Sequence, residues 1–247
     1  MKFFLNSNSY IDTNKGHDLS IPLTNDELNP TAWYVDPPVF EPVRTNGFLG
    51  SVSEGGNVNF RNIFFNPHGH GTHTECLGHI TKEVHSVNKT LKTHFFNAEL
   101  TTIGPEKRGG DLIITKKQLA EKLQGIKTES LIIRTTPNTL DKKNKQYSST
   151  NPPYIELEAI DVLNDVGVKH LLIDLPSVDR EEDEGHLAFH HAFWEVPESP
   201  RLDKTITELI YVNDSVLDGS YILNLQTAPF ENDASPSRPI LYNILKT

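Results

Sequence analysis

The sequence of 247 residues has a single cysteine, Cys76, and no long apolar run. One cysteine excludes an intramolecular disulfide and is typical of a reducing compartment. A membrane-spanning helix needs roughly 20 predominantly apolar residues, and no stretch of the chain approaches that length. Asn and Ser interrupt the opening MKFFLNSNSY before it can form the apolar part of a secretion signal. We therefore predict a cytoplasmic protein that does not enter a membrane.

Basic residues are also few. The chain has 23 Lys and Arg against 33 Asp and Glu, which gives a net charge of -10 at pH 7. Nucleic-acid binding depends on Lys and Arg side chains that neutralise phosphates, so this balance argues against a nucleic-acid partner. The one basic cluster, LDKKNKQYSST at Leu140 to Thr150, is more typical of a solvated loop.

Hydrophobic spacing predicts an α/β fold. The segments TKKQLAEKLQGI and YIELEAIDVLNDVG have apolar residues at helical spacing and a glycine near the end. Short apolar runs, SLIIRTT and KHLLIDL, follow the two helices and read as buried strands. A strand, a helix and a second strand in this order imply a right-handed crossover with parallel strands.

The remaining segments read as strands and loops. The run NVNFRNIFF is predicted to be a strand, and TITELIYV and SYILNLQTA read as two strands joined through NDSVLDG as a hairpin. No repeat or linker divides the chain. We predict one domain over residues 1–247, with a mixed β-sheet flanked by helices.

The segment NPHGHGTHTECLGHI, Asn66 to Ile80, holds four of the 11 histidines: His68, His70, His73 and His79. Imidazole and carboxylate are preferred ligands of zinc and similar divalent ions. His73 and Glu75 lie two residues apart, so an extended chain places both side chains on one side. The spacing predicts metal binding or acid–base chemistry, although a polar loop is the alternative. It does not match the helical zinc motif, and no serine lies in a nucleophile-elbow context.

Several segments together resemble a known family. GTHTE followed by His79 resembles the signature His-x-Gly-Thr-His-x-Asp-x-Pro-x-His of the metal-dependent cyclase/hydrolase family, which includes bacterial kynurenine formamidases and isatin hydrolases. The same order of further matches runs over nearly the whole chain: HDLSIPL, TAWYVDPP, SLIIRTT, LLIDLPSVD, HHAF and SPSRPIL.

The resemblance implies a swivelling β/β/α fold, a homodimer or homotetramer, and one or two ions of zinc or manganese. It also implies a role for six residues: metal ligands at His73, Glu75, His190 and Glu208, a proton relay at His79, and a substrate-contacting aromatic at Trp33. Asp174, at the end of a buried strand, either orients a ligand histidine or forms a turn. If His190 and His191 lie on a strand, they face opposite ways, so only one of them is a ligand.

The sequence departs from the family signature at its first histidine. That residue falls on Gly69, and the neighbours His68 and His70 compete to replace it as a metal ligand. Glu75 stands where the family has Asp, and Leu77 stands where it has Pro. If neither neighbour fills the gap, one ion loses a ligand.

The implied reaction is hydrolysis of a carbon–nitrogen bond in a small amide, with an aryl formamide as prototype. The ion would lower the pKa of its bound water to about 7 and polarise the carbonyl. His79 would take the proton and deliver it to the leaving nitrogen. Two alternatives stay open: a catalytically silent binding protein of the same fold, and a hydrolase that opens a cyclic amide or a lactone.

Overall fold

The computed structural model describes all residues from Met1 to Thr247. Its strands are β1 Lys2–Asn6, β2 Ser9–Asp12, β3 Gly16–Asp18, β4 Val39–Pro42, β5 Arg44–Thr45, β6 Phe48–Leu49, β7 Arg61–Phe64, β8 His73–Glu75, β9 Phe95–Ile103, β10 Glu106–Arg108, β11 Asp111–Ile114, β12 Ser130–Thr135, β13 Tyr154–Ile155, β14 His170–Ile173, β15 Thr205–Glu208, β16 Gly219–Asn224, β17 Ala234–Pro236, β18 Ile240–Asn243 and β19 Leu245–Lys246.

The helices are fewer and short. The α-helices are α1 Pro67–His70, α2 Val87–Thr90, α3 Lys116–Lys122, α4 Ile160–Val166 and α5 Ala188–Trp194, and 3-10 turns cover Val52–Glu54, Leu77–His79, Leu140–Asn144 and Leu157–Ala159. None of these helices combines the length and the apolar character that crossing a membrane requires.

The main sheet has nine strands in the order β17-β8-β15-β14-β12-β9-β16-β18-β3. The four neighbours β15, β14, β12 and β9 are parallel to one another. The strands outside them, β8 and β17 on one side and β16, β18 and β3 on the other, pair antiparallel. The predicted α/β fold with a mixed sheet is confirmed.

Both faces of the central strands are covered, which explains their continuous apolar sequences. On β12, Leu131 and Ile133 pack into the larger core cluster together with residues of α3, α4 and α5. Ile132, between them, belongs to a second cluster on the opposite face. The predicted parallel pairing holds, since Ser130 aligns with His170 in the register of β12 and β14.

Both predicted helices form, but over shorter ranges: α3 ends at Lys122, before Gly125, and Tyr154–Ile155 of the second segment form strand β13. At the start of α3, Thr115 and Gln118 form a capping box, in which each side chain bonds the backbone N–H of the other. Helix α4 ends at Gly167, whose φ of 94° lies in the left-handed region that favours glycine.

The predicted hairpin between TITELIYV and SYILNLQTA is wrong. Strand β15 pairs with β14 and β8, whereas β16 pairs with β9 and β18. The connection instead crosses the end of β12, where the guanidinium of Arg134 donates to the carbonyls of Asn213 and Val216 at 3.0 and 2.8 Å. These long-range bonds anchor the connecting segment at the end of β12.

Polar side chains lie close together where three neighbouring strands of the main sheet end or begin. Strand β15 ends at Glu208, β14 leads into the loop that contains Asp179, and β8 runs antiparallel so that its first residue, His73, aligns with Glu208. The carboxyl ends of parallel strands are the usual place for ligand sites in open α/β sheets.

Candidate metal centre

Strand β8 carries the centre of the site. His73 and Glu75 are fully buried and, as alternate residues of a strand, lie on the same face, as the spacing predicted. Across from them, Nε2 of His73 lies 3.4 Å from Oε2 of Glu208. The three side chains therefore face one another in the interior, where uncompensated charge is strongly unfavourable.

Helix α5 supplies the second histidine from the other half of the chain. His190 is buried, and its Nε2 lies 3.0 Å from Oε1 of Glu75 and 3.9 Å from Oε1 of Glu208. The neighbouring His191 points elsewhere, with Nδ1 3.4 Å from the carbonyl of Val196. Both histidines lie on a helix and not on a strand, and successive side chains of a helix diverge by about 100°, so only His190 points to the cluster.

Asp179 fixes the orientation of His190. Its Oδ2 accepts the Nδ1–H of His190 at 2.6 Å, and the two oxygens also accept the backbone N–H groups of Phe189 and His190. Asp174, the residue considered for such a role, instead binds Thr135 and the Lys142 ammonium.

The ring of His68 lies between the carboxylates of Glu75 and Asp233. Its Nδ1 lies 3.0 Å from Oε2 of Glu75, and its Nε2 lies 2.8 Å from Oδ2 of Asp233. Asp233 directly precedes β17, where Ala234 aligns with Glu75. The strand pairing thus brings this carboxylate to the His68 ring.

His70 is held away from the cluster. Its Nδ1 accepts the backbone N–H of Asn66 at 2.8 Å, and its Nε2 lies 2.7 Å from the carbonyl of Asp36. Both ring nitrogens are therefore occupied by the backbone. Of the two histidines that flank Gly69, the structure brings only His68 to the other predicted ligands.

Gly69 itself is required by close packing. A Cβ atom at this position would lie 2.6 Å from Cγ2 of Val35 and 3.1 Å from the carbonyl oxygen of Ala32. Both distances are shorter than ordinary van der Waals contacts. A histidine at the family's usual position would therefore require the Val35 side chain and the Ala32 carbonyl to move.

His79 lies at the edge of the cluster on the 3-10 turn Leu77–His79. Its Nδ1 is 3.5 Å from Oδ2 of Asp233, and its Nε2 is 4.0 Å from Oε2 of Glu75. The ring stacks on His68 with centroids 4.3 Å apart. This turn passes close to another segment, because a Cβ on Gly78 would lie 2.3 Å from the carbonyl of His85.

Acceptor atoms lie at the outer nitrogen of each of three histidines. The Gly71 carbonyl, 2.9 Å from Nδ1 of His73, can only accept, and so can the carboxylates that hold His68 and His190. A neutral His73 would therefore present the lone pair of Nε2 to Glu208. A neutral His68 or His190, with a carboxylate at each nitrogen, would face one of the two with a lone pair whichever nitrogen carries the hydrogen. Lone pairs that face carboxylates repel them unless a proton or a cation lies between.

The electrostatics of the cluster agree with this geometry. Burial alone would lower the pKa of His190, but hydrogen bonds to Asp179 and Glu75 raise it to about 10. Burial also opposes protonation of His68, yet its bonds to Asp233 and Glu75 raise the pKa of that ring to about 10. Burial acts to raise the pKa of Glu75, but the surrounding histidines hold it well below its usual range. Without an ion, protons occupy the places that a cation would take.

A divalent ion fits these residues. Nε2 of His73 is buried and has no hydrogen-bond partner. The donor atoms of His68, His73 and Glu75 lie within 4.8 Å of one another, and so do those of Glu75, His79 and His190. Glu75 is common to these two groups, and a third group joins His68 and His79 to Asp233.

A cavity of about 320 Å³ opens beside the cluster. Its walls are formed by eight residues: Trp33, Asn66, His68, His79, Ser177, Leu187, His190 and Glu208. Trp33, the predicted substrate contact, thus shares a cavity with four of the predicted site residues. The volume suits a small molecule about the size of a substituted aromatic ring.

Two residues of the site were missed at the sequence level: Asp179 and Asp233. Asp179 ends the segment LLIDLPSVD, whose resemblance to the family loop could have drawn attention to it. Asp233 follows an acidic and polar stretch with no distinctive spacing, and only the pairing of β17 with β8 brings it near His68.

Comparison with known proteins agrees with the fold and the motif. The model of the cyclase family ("Putative cyclase") matches residues 17–180, more than half of the chain. The matched range contains the histidine segment and extends one residue past Asp179. The protein belongs to the cyclase family, as the sequence motifs indicated. No curated protein matches the sequence.

Solved structures of the same fold cover nearly the whole chain. A predicted metal-dependent hydrolase from Bacillus stearothermophilus has 19% identity and a TM-score of 0.65, over 92% of this chain and 98% of that protein. Isatin hydrolase A from Labrenzia aggregata, bound to benzyl benzoate, has 14% identity and a TM-score of 0.65, over 92% and 93%. At these identities the likeness establishes the fold.

Proposed function

We propose that the protein is a metal-dependent hydrolase that cleaves a carbon–nitrogen bond of a small amide, in the manner of an arylformamidase. One observation carries the proposal. Three histidines, the half-buried His68 and the fully buried His73 and His190, each have one ring nitrogen held by an acceptor while the other faces Glu75 or Glu208. Oriented imidazoles around carboxylates are the usual arrangement of a metal centre.

The proposed ligands are His73, Glu75, His190 and Glu208, with His68 in place of the residue missing at Gly69. His70 is left out, because both of its nitrogens bind the backbone. This donor set suits zinc or manganese, and the shared position of Glu75 accommodates one ion or two. When bound, the ion supplies Lewis-acid polarisation of the scissile carbonyl and an acidified water.

The other residues act on the substrate and its protons. His79 lines the cavity, with Asp233 3.5 Å from its Nδ1 and Glu75 4.0 Å from its Nε2, so its ring is placed to take a proton and deliver it to a leaving nitrogen. Trp33 and Leu187 provide apolar walls that exclude water and fit a ring. Asp179 keeps His190 oriented throughout.

A second candidate is the opening of a cyclic amide or a lactone by the same groups. The observation that favours it is the fold shared with isatin hydrolases, one of which is described as bound to the product analogue thioisatinate. The two candidates differ in the bond that is broken, and the proposed roles of His79 and the metal ligands are the same in both.

Metal content and substrate assays test the proposal together. Purified protein is expected to hold one or two zinc or manganese ions per chain, and His73→Ala should lose most of them. His186→Ala, a substitution of an exposed histidine, serves as the control. Substoichiometric metal that is unchanged in His73→Ala would contradict the proposal.

Aryl formamides, cyclic amides and lactones, assayed side by side, then decide between the two reactions. Hydrolysis of the linear formamides supports the first candidate, and preference for the ring compounds supports the second. Stoichiometric metal with no hydrolysis of any of them would indicate a binding protein instead.

A further inference from the structure

Trp33, which lines the cavity, has an unfavourable backbone conformation. Trp33 and Tyr34 have φ angles of 60° and 57°. The left-handed region costs a bulky residue roughly 1–2 kcal/mol, and such strain persists only when surrounding contacts hold it. The contacts that keep these two residues in place therefore control the position of the Trp33 ring.

The start of the segment that contains Trp33 and Tyr34 is held by Gly69, next to His68, and by a small buried cluster. The N–H of Ala32 donates to the carbonyl of Gly69 at 2.9 Å. Ala32 packs with Tyr147 and Leu209 in a small buried cluster, and Trp33 lies against it. These contacts fix the start of the segment but leave Tyr34 largely exposed.

On the other side, the Tyr34 N–H donates to the Ser148 hydroxyl at 2.9 Å, and the carboxylate of Glu181 links Tyr34 to the backbone that follows Ser148. Oε1 of Glu181 accepts the Ser149 N–H at 2.5 Å and the Tyr34 hydroxyl at 3.3 Å, and Oε2 accepts the Asn151 N–H at 2.8 Å. Ser149 and Asn151 are themselves in the left-handed region, with φ of 62° and 46°. Glu181 thus joins two strained segments at one point.

The segment of Trp33 and Tyr34 and the segment of Ser149 and Asn151 approach each other next to Trp33. A narrow seam beside its ring is lined by Ala32, Tyr147, Pro152, Pro176 and Glu181. Trp33 also lines the cavity next to the metal centre. Movement of either strained segment would therefore change the shape of the cavity wall.

We propose that Glu181 is a positioning residue that holds Trp33 against the substrate cavity through the Tyr34 hydroxyl and the backbone of Ser149 and Asn151. Its effect on substrate binding rests on the proposed function. Its effect on the position of Trp33 does not, because it concerns only the protein.

Tryptophan fluorescence tests the position directly. The chain has two tryptophans, and Trp194 is fully buried with its Nε1–H bound to the Lys204 carbonyl, so acrylamide reaches only the partly exposed Trp33. Glu181→Ala should raise the acrylamide quenching constant at least about 1.5-fold, because a released segment opens more often to solvent. Glu182→Ala is the matched control, since it removes the same charge from an exposed neighbour.

A second, more conservative variant keeps the test valid if Glu181→Ala fails to fold. Tyr34→Phe removes only the hydroxyl that binds Glu181 and keeps the exposed ring. It should raise quenching in the same direction by a smaller amount, with metal content unchanged. Equal quenching in Glu181→Ala, Tyr34→Phe and Glu182→Ala would overturn the proposal.

Kinetics test the consequence for the substrate. For whichever substrate is hydrolysed, Glu181→Ala should raise KM about fivefold with kcat within about twofold, because a wall that binds ground state and transition state alike affects KM alone. A fall in kcat with unchanged KM would contradict the inference. If no substrate is hydrolysed, the proposed function fails, and the quenching result still decides the role of Glu181.

Discussion

Oδ2 of Asp179 lies 2.6 Å from Nδ1 of His190, and the same carboxylate accepts the first backbone N–H groups of the helix that carries this histidine. One side chain thus does two things. It begins helix α5, and it sets which nitrogen of His190 faces Glu75. A carboxylate that orients a ligand histidine also increases the basicity of the ring.

Asp179→Asn should weaken metal binding more than it weakens the fold. The amide retains one oxygen for the helix N-terminus, but its NH₂ group can face Nδ1 and reverse the tautomer of His190. Loss of such an orienting contact typically lowers metal affinity about 10- to 100-fold. Titration against a competing chelator measures the change. Asp183→Asn, in the same loop, is the control, and equal affinities in the two variants would contradict the assigned role.

His68→Ala and His70→Ala should have opposite effects. His68→Ala removes a proposed ligand, so metal content should fall while the helical and sheet structure seen by circular dichroism persists. His70→Ala removes the bonds to the Asn66 N–H and the Asp36 carbonyl, each of which typically contributes about 0.5–1.5 kcal/mol to the free energy of unfolding. Its metal content should stay close to wild type. Metal loss confined to His70→Ala would reverse the assignment.

Gly69→Ala should destabilise the protein through its contact with Val35. The added methyl group would lie 2.6 Å from Cγ2 of that side chain, and such overpacking typically costs about 1–3 kcal/mol. Urea unfolding measures the loss. Val35→Ala in the same chain should restore part of it, because the Ala32 carbonyl at 3.1 Å remains. A double variant no more stable than Gly69→Ala would show that Val35 is not the obstacle.

The sequence predicted those parts of the structure that depend on local patterns. The strand of His73 and Glu75 follows from alternation, and the strands β12 and β14 follow from apolar runs buried on both faces. Asp233 could not be predicted, because it meets His68 only through the pairing of two strands far apart in the chain. The choice of His68 over His70 likewise depends on contacts to Asp36 and Asp233, which neighbouring residues do not encode.

His170 should make stability depend on pH away from the metal centre. Burial lowers its pKa to about 4, and its Nδ1 lies 2.8 Å from the Thr205 hydroxyl. The unfolded chain, with a pKa near 6.5, binds the proton more readily, so stability falls as the pH decreases from 6.5 towards 4. The expected loss between pH 7 and pH 5 is about 2 kcal/mol.

The variant His170→Asn isolates this contribution, because an amide can bond Thr205 and does not titrate. In the metal-free protein, the rings of His68 and His190 have raised pKa values of about 10, so their contribution is complete below pH 6.5 and is lost only as the pH rises towards 10. The pH range over which His68 and His190 change the stability therefore does not overlap with the range over which His170 does. The free energy of unfolding, measured in urea from pH 7 to pH 5, should therefore fall less steeply in His170→Asn than in wild type. The exposed control His186→Asn should keep the wild-type slope, and equal slopes in all three proteins would mean that His170 takes up its proton without unfolding the chain.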